Sequence, residues 1–137
     1  MSHQIDFTVK HIYDSREIGI TLETTLRRGD AFVICDAKVD TGSEYCLFGR
    51  EYAEQLGIEV ETGFQQNLST LTSGLSAYGH SVELETLEIK LDTFVYFAAD
   101  YSLPRNLLGR QGWFQLINFG LNDYASEIYI SPQDEEV

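Results

Sequence analysis

Alternating apolar and polar positions dominate the chain and predict strands over most of its first part. The clearest alternation covers residues 18–26, and residues 6–10 alternate more loosely. A polar connection, Arg27-Arg28-Gly29-Asp30, separates the first of these runs from the apolar run 31–39. We therefore expect the strand over 18–26 to turn back as a hairpin into a strand over 31–39.

The second half of the chain carries the same kind of pattern. Residues 82–91 alternate almost perfectly, which predicts a strand with one buried face and one acidic, solvated face. Residues 94–99 are continuously apolar, as expected for a strand covered on both faces. A last strand is predicted over 125–130, ended by Pro132, and we expect its part Glu127–Ile130 to be an interface or edge strand.

Two segments have the spacing of short helices. In residues 49–57, Tyr52, Ala53 and Leu56 share one face, and Gly57 stands where a glycine would end the helix. Residues 110–119 could form a second helix carrying Trp113, Phe114 and Ile117, of which Trp113 and Phe114 are predicted core residues. The pattern as a whole predicts a mostly β domain with one or two short helices.

Length and charge limit the classes of function. The 137 residues predict a single domain over 1–137, with its core at about 18–131 and an acidic tail at 132–137. No apolar stretch is long enough to cross a bilayer and no secretory signal is seen, so we expect a cytoplasmic protein without a membrane partner. The net charge of −13 argues against nucleic-acid binding. We interpret the acidic residues as a soluble acidic surface, and the alternative is a mild preference for basic substrates or partners through the summed field.

The cysteines and histidines do not form a recognisable site. Cys35 is predicted to be a small core residue, whereas Cys46 is a candidate for partial reactivity. No cysteine or histidine pair has zinc-ligand spacing, and the carboxylates lack the spacing of a calcium loop. An acidic metal-binding β protein is therefore a distant alternative, and we expect neither a metal nor a cofactor.

The triplet Asp40-Thr41-Gly42 is the strongest chemical signal in the chain. It follows the predicted strand 31–39, so the strand delivers a carboxylate to a tight turn that glycine permits. A carboxylate on such a turn can be a ligand, a structural cap of the Asx-turn kind, or a catalyst. The residues of the turn leave these three roles open.

Two segments together carry a family resemblance. Asp40-Thr41-Gly42-Ser43 is similar to the active-site turn of aspartic proteases, and Leu107-Leu108-Gly109-Arg110 resembles the late segment of the retroviral (retropepsin) type. The resemblance covers roughly residues 32–119. It implies a small closed or partly open β-barrel of the acid-protease type with a flap hairpin, although ordinary core followed by a helix start would also explain the late segment.

The resemblance implies roles for the turn. Asp40 would be one half of a catalytic pair of carboxylates, and Thr41 would join two active-site turns through hydrogen bonds across a two-fold axis. Gly42 would let the substrate backbone approach, and Ser43 would donate a hydrogen bond to the outer carboxylate oxygen of Asp40.

The residues around the turn also acquire roles from the resemblance. Glu44 stands where retroviral enzymes often have an aspartate that pairs with the late arginine, so we expect Glu44 near Arg110; the alternative is two independent surface charges. The late segment would pack beneath the turn through Leu107, Leu108 and Gly109.

The flap is expected in the serine- and glycine-rich stretch 70–80, with Gly74 and Gly79 at its tip. Tyr78 is expected to pack on its own hairpin, or else to fill a substrate pocket or contact the catalytic pair, and His80 is expected to be a surface or hairpin residue. The flap residues would be Thr72, Ser73, Gly74, Leu75, Ser76, Ala77, Tyr78 and Gly79.

A single Asp-Thr-Gly triplet has a consequence for assembly. Two carboxylates are needed, so an enzyme of this type must be a homodimer that contributes Asp40 twice. The sequence therefore predicts an aspartic endopeptidase that hydrolyses extended polypeptide substrates. The alternative is a catalytically silent dimer of the same fold that binds peptides or proteins.

Overall fold

The computed structural model describes residues 1–69 and 74–133 of the chain. The expected flap residues Thr72 and Ser73 and the tail residues 134–137 lie outside these described residues. The described part contains one α-helix, α1 (Arg50–Gln55), and short 3-10 turns at Val60–Thr62 and Phe114–Leu116. Its strands are β1 (Val9–Ile12), β2 (Thr21–Arg28), β3 (Ala31–Val39), β4 (Leu47–Phe48), β5 (Phe64–Ser69), β6 (Gly74–Thr86), β7 (Ile89–Ala98), β8 (Asn106–Leu108), β9 (Ile117–Asn122) and β10 (Glu127–Pro132).

Six strands close into a barrel. Their order is β2-β3-β8-β4-β7-β6, and a further antiparallel pairing of β2 with β6 completes the ring. β5 pairs with the part of β6 that extends from the barrel, so β5 and β6 form a hairpin. This architecture confirms the predicted mostly β barrel with few helices.

The hairpin predicted from β2 to β3 is present. The two strands pair from Thr21 with Lys38 to Arg28 with Ala31, and Gly29 takes the turn with φ of +59°. In β3, alternate residues Val33, Cys35 and Ala37 are buried, whereas the residues between them face outward. The hairpin therefore presents one apolar face to the barrel interior, and Cys35 is a core residue as predicted.

Trp113 lies at the centre of the main core. Its indole is fully buried and donates a hydrogen bond of 3.0 Å to the hydroxyl of Thr86. Phe114 and Phe119 meet it edge to face, with ring centroids 4.8 and 5.8 Å away. The prediction that Trp113 belongs to the core is confirmed.

The terminal strands form a separate three-stranded sheet in the order β1-β10-β9. β10 is its central strand, because it pairs with β1 on one side and with β9 on the other. The expectation of an edge strand at Glu127–Ile130 is therefore wrong, and its alternative, an interface strand, stays a prediction. Among the described strands, the edges of this sheet are β1 and β9.

Two further sequence predictions are corrected by the structure. The helix expected over residues 110–119 is only the 3-10 turn Phe114–Leu116, and residues from Ile117 onward enter β9, where they pair with β10. The alternating run 82–91 is not one strand, since a two-residue turn at Leu87 and Glu88 divides it into β6 and β7. By contrast, α1 forms within the expected range, and Gly57 follows it with φ of +75°.

Among the helices that the structure describes, none is both long enough and apolar enough to span a bilayer.

The turn between β6 and β7 yields a stability prediction. Leu87 and Glu88 have positive φ angles of 49° and 70°, a backbone region that costs a residue with a side chain about 1 kcal/mol. We expect Glu88→Gly to raise the free energy of unfolding by up to about 1 kcal/mol in urea titrations. The matched control, Lys90→Gly in the adjoining strand, should lower it by a similar amount, and stabilisation by both or by neither would contradict this account.

Candidate active site

Asp40 is held in place by hydrogen bonds of its backbone and side chain. It follows the last residue of β3, and its N–H donates to the carbonyl of Leu108 at 3.0 Å. The N–H of Gly42 donates to Oδ1 of Asp40 at 2.9 Å, and the N–H of Ser43 donates to the Asp40 carbonyl at 3.2 Å. The side chain therefore forms an Asx-turn through one oxygen, while Thr41 and Gly42 stand exposed beside it.

Two chain segments pair directly after this turn. The N–H of Arg110 donates to the carbonyl of Ser43 at 2.9 Å, and the N–H of Gln111 donates to the carbonyl of Glu44 at 2.8 Å. Tyr45 and Gln111 form a parallel bridge at the end of this pairing. We call the paired segments 43–45 and 109–111 the clasp. The clasp holds residues 109–111 close behind the Asp40 turn, next to the bond from the Asp40 N–H to Leu108.

Gly109 is the closest point of the clasp. A Cβ built on Gly109 would lie 2.2 Å from the carbonyl oxygen of Tyr45 and 2.8 Å from that of Ser43. Both neighbours are backbone atoms, which cannot rotate away as a side chain can. The N–H of Gly109 donates to Sγ of Cys46 at 3.3 Å, so this glycine contacts the chain on both sides.

Glu44 and Arg110 lie together at the surface of the clasp. Nη1 of Arg110 is 3.8 Å from Oε2 of Glu44, and Gln111 donates a side-chain hydrogen bond of 2.7 Å to Oε1. The expected proximity of Glu44 and Arg110 is therefore present. More than half of the Arg110 side chain and half of the Glu44 side chain are exposed, so the ion pair contributes at most about 1 kcal/mol.

Ser43 does not make the hydrogen bond expected of it. Its hydroxyl donates to the carbonyl of Tyr45 at 2.7 Å, rather than to the carboxylate of Asp40. This bond closes a local turn of the Ser type. Ser43 therefore stabilises the chain path from the Asp40 turn into the clasp.

The β5–β6 hairpin covers a small apolar cluster near the clasp. We call this group the cleft cluster. Its buried members are Leu47, Ala77 and Tyr96, and Tyr45, Leu68, Leu75, Leu103 and Leu107 pack against them. Leu68 and Leu75 come from the two strands of the hairpin, whereas Leu107 comes from β8, so the cluster joins the hairpin to the strand that contacts Asp40.

Several flap expectations are revised by this geometry. Gly79 lies inside β6 opposite Phe64, at the end of the pairing far from the connection between the two strands, so Gly79 is not at the hairpin tip. Gly74 begins β6 in the last described pair of the hairpin. Gly79 instead makes room for aromatic rings, because a Cβ there would lie 2.2 Å from Phe94. Tyr78 packs against the main core rather than into the cleft cluster.

His80 and Cys46 are buried, contrary to a surface position for His80 and partial reactivity for Cys46. His80 is 7% exposed, with Nε2 2.8 Å from the carbonyl oxygen of Val60. Cys46 is fully buried, and burial raises the pKa of its thiol to about 12. Burial likewise raises the pKa of Cys35 to about 12. Both cysteines therefore stay protonated and unreactive near neutral pH.

Asn106 is a structural support that the sequence analysis missed. Its side chain donates to the carbonyl of Asp36 at 2.9 Å and accepts from the N–H of Gly49 at 2.9 Å. One buried amide thus ties β8 to β3 and to the start of α1. The available signal was a polar residue directly before the apolar pair Leu107-Leu108, where an amide can satisfy two backbone groups at once.

Metal binding has no support in the described geometry. Within residues 1–69 and 74–133, no group of three or more histidine, cysteine, aspartate or glutamate side chains is placed to hold a metal ion. The chemistry available at the Asp40 turn is that of a partly exposed carboxylate, next to a strand whose Leu107 belongs to the cleft cluster.

Gly109 provides a test of the clasp. We expect Gly109→Ala to lower the free energy of unfolding by at least about 3 kcal/mol, or to prevent folding, because its Cβ would clash with two carbonyl oxygens. Urea denaturation followed by circular dichroism measures the change. The control is Gly74→Ala, whose Cβ would have no neighbour closer than 3.9 Å among residues 1–69 and 74–133. This change should cost under about 0.5 kcal/mol, and equal effects of the two changes would contradict the close approach.

Comparisons with known proteins relate the chain to proteases by structure. No family model matches the sequence, and no match is found among curated proteins. The fold is similar to that of the EIAV protease in complex with the inhibitor HBY-793, with a TM-score of 0.54 and 14% identity over 69% of this chain and 84% of that one. It is also similar to a retropepsin-like aspartic protease from Rickettsia conorii, with a TM-score of 0.60 and 13% identity over 90% of this chain and 97% of that one. Together with the closed barrel and its hairpin, these likenesses show that the chain has the retropepsin-like fold.

Proposed function

We propose that this protein is an aspartic endopeptidase that hydrolyses peptide bonds in extended polypeptides. The observation that supports this function best is the position of Asp40. Its carboxyl group lies at the open end of β3, on a turn held by the backbone of Leu108 and Gly42. The β5–β6 hairpin and the cleft cluster lie beside the strand that contacts Asp40, and they would receive the substrate.

The proposed chemistry needs two carboxylates. One carboxylate takes a proton from water as the water attacks the scissile carbonyl, while a protonated partner donates to the carbonyl oxygen. Two such groups about 3 Å apart cannot both ionise near neutrality, so they share one proton, as is established for aspartic proteases in general. No acyl-enzyme forms, because water is the nucleophile.

A homodimer would supply the second carboxylate. Each chain has one Asp-Thr-Gly triplet, so a two-fold axis beside the turn would bring two copies of Asp40 together. The exposed position of Thr41 supports this arrangement, because its hydroxyl is accessible to the turn of a second copy. Gly42, also exposed, would leave room for the substrate backbone.

The substrate would bind as an added strand. Peptides are commonly recognised by main-chain hydrogen bonds to a strand edge, with alternate side chains entering pockets. The β5–β6 hairpin would provide such an edge and close over the peptide, which excludes water from the reaction. The cleft cluster would receive apolar side chains of the substrate.

Replacement of Asp40 tests the mechanism. We expect Asp40→Asn to abolish cleavage of an unstructured peptide library assayed by mass spectrometry between pH 3.5 and 7.5, since an amide cannot act as a base. The carbonyl oxygen of the introduced amide can still accept from the N–H of Gly42, so the variant should fold like the wild type. Wild-type cleavage should be fastest at roughly pH 4–6, where the pair holds one proton.

Three results would count against this assignment. Turnover by Asp40→Asn equal to that of the wild type would exclude the mechanism, and a rate still rising above pH 8 would exclude a shared proton. Peptide binding without products, from a folded dimer, would instead identify a silent binding module of the same fold.

Dilution tests the role of the dimer. If the site needs two chains, specific activity should fall as the protein concentration drops below the dimer Kd. At the lowest concentrations it should become proportional to chain concentration, so that the total rate depends on the square of that concentration. Analytical ultracentrifugation at the same concentrations gives the dimer fraction independently. Specific activity that stays constant while the dimer fraction falls would show that one chain suffices.

A further inference from the structure

Lys38 lies next to Asp40 on the same side of β3. The alternate residues Val33, Cys35 and Ala37 point into the barrel, so Lys38 points outward. The strand pairing continues through Asp40, whose N–H bonds to Leu108, and Asp40 therefore shares the face of Lys38. Two residues of a strand span about 7 Å, which places this ammonium group within reach of a peptide held over Asp40.

The register of β8 places Lys38 at the border of the cleft cluster. Lys38 is paired with Leu107 across the parallel strands, and paired residues project from the same face of a sheet. Leu107 is a member of the cleft cluster, so the cluster continues directly into Lys38.

Lys38 is half-buried, and in the part of the chain that the structure describes it forms no ion pair within 4.0 Å. The described pairs use Lys10, Arg16, Arg27, Arg50 and Arg110. The stem of Lys38 is held against Gly19, since a Cβ on that glycine would lie 2.5 Å from Cε of Lys38.

The surroundings of Lys38 contain charges of both signs. Lys38 and Arg105 line an open recess of about 500 Å³ that Asp36 and Glu51 also line. The two acidic groups balance the two basic ones, so the recess carries no net formal charge. Lys38 is nevertheless the charged residue of the recess nearest to Asp40 along the chain, two positions before it.

We propose that Lys38 gives the enzyme a preference for substrates with an aspartate or glutamate directly beside the scissile bond. This inference rests on the proposed function and deepens it by naming a substrate class. A partly desolvated ammonium group forms a charge-assisted hydrogen bond with a carboxylate, stronger than the bond it forms with an amide. In a two-fold dimer there are two copies of Lys38, so an acidic residue on either side of the bond is recognised.

The preference for an acidic residue beside the scissile bond is opposite to the preference that the overall charge of the chain produces. The net charge of −13 favours basic peptides at long range. Physiological salt screens that field beyond about 8 Å, whereas a direct pair in a cleft is screened much less. The preference for aspartate or glutamate is therefore confined to the substrate residues that flank the cleaved bond, and more distant substrate positions favour basic residues.

The test uses sets of peptides that differ at one position. A peptide cleaved by the wild type is synthesised with Glu, Gln or Lys at each residue flanking the bond, and kcat/KM is measured at pH 5.5, where a peptide glutamate is ionised. We expect kcat/KM for the Glu peptide to exceed that for the Gln peptide by about tenfold, a difference typical of a charge-assisted hydrogen bond. Lys38→Met should remove the difference, Lys38→Arg should keep it, and Lys38→Glu should favour the Lys peptide.

The matched control is Lys90→Met, which removes the same charge from an exposed position on β7. It should leave the ratio of Glu to Gln cleavage unchanged. A wild type that cleaves Glu and Gln peptides equally would overturn the inference and leave the proposed function intact, as would a preference that survives in Lys38→Met. The wild-type ratio requires no variant, so the inference remains testable even if a variant does not fold.

Failure of the proposed endopeptidase function can be distinguished from failure of the charge preference. If no peptide is cleaved, the endopeptidase assignment fails, and affinities for the same Glu and Gln peptides are measured by fluorescence anisotropy. Equal affinities would then overturn the charge preference too. Tighter binding of the Glu peptide that is lost in Lys38→Met would support Lys38 recognition in a protein that binds without cutting.

Discussion

The candidate site depends on the close approach of two chain segments at Gly109. The clasp brings the backbone of residues 109–111 against that of residues 43–45, and a side chain at Gly109 would overlap two carbonyl oxygens. The hydrogen bonds from Asp40 to Leu108 and from Arg110 to Ser43 require this approach. Each bond contributes only about 1 kcal/mol net. Their joint effect is geometric, because they fix the path of the chain on both sides of the Asp40 carboxylate.

Closure of the barrel and formation of the site follow from the same strand. β8 is three residues long, yet it lies between β3 and β4 and so completes the ring of six strands. The buried amide of Asn106 satisfies backbone groups at one end of β8, and Gly109 follows at the other. A change that displaces β8 would therefore open the barrel and disturb the Asp40 turn together. Stability and the proposed activity are linked through one short segment.

The sequence was sufficient where local signals agree with the tertiary structure. The β2–β3 hairpin, α1 and the nearness of Glu44 to Arg110 could all be predicted, because alternation, a terminal glycine and two family-like motifs indicate them. The turn at Leu87 and Glu88 was missed because it contains neither glycine nor asparagine, although both residues adopt positive φ. The spacing of Trp113, Phe114 and Ile117 also suits a helix, and only distant pairing with β10 makes a strand of Ile117 and the residues after it. The burial of His80 against Val60 depends on a tertiary contact that no local pattern encodes. The Ser43 hydroxyl differs from the expectation for a local reason, because it bonds within its own turn to the carbonyl of Tyr45.

The distribution of charge bears on how two such acidic chains could associate. Each chain carries −13, so a dimer must bring similar charges together, which opposes association. Glu83 pairs with Arg27, and Arg27 pairs with Phe32 of β3, which lies eight residues before Asp40. At about 3.3 Å per residue, the carboxylate of Glu83 is therefore about 26 Å from Asp40 along the strand. This distance exceeds the screening length at physiological salt. Near Asp40 the basic residues have acidic neighbours: Glu44 lies against Arg110, and Asp36 and Glu51 share a recess with Lys38 and Arg105. These neighbours of Asp40 therefore add no net formal charge to the surface that would meet a second copy. Mild acid, by protonating part of the carboxylates, would reduce the remaining repulsion under the same conditions in which a shared-proton pair is active.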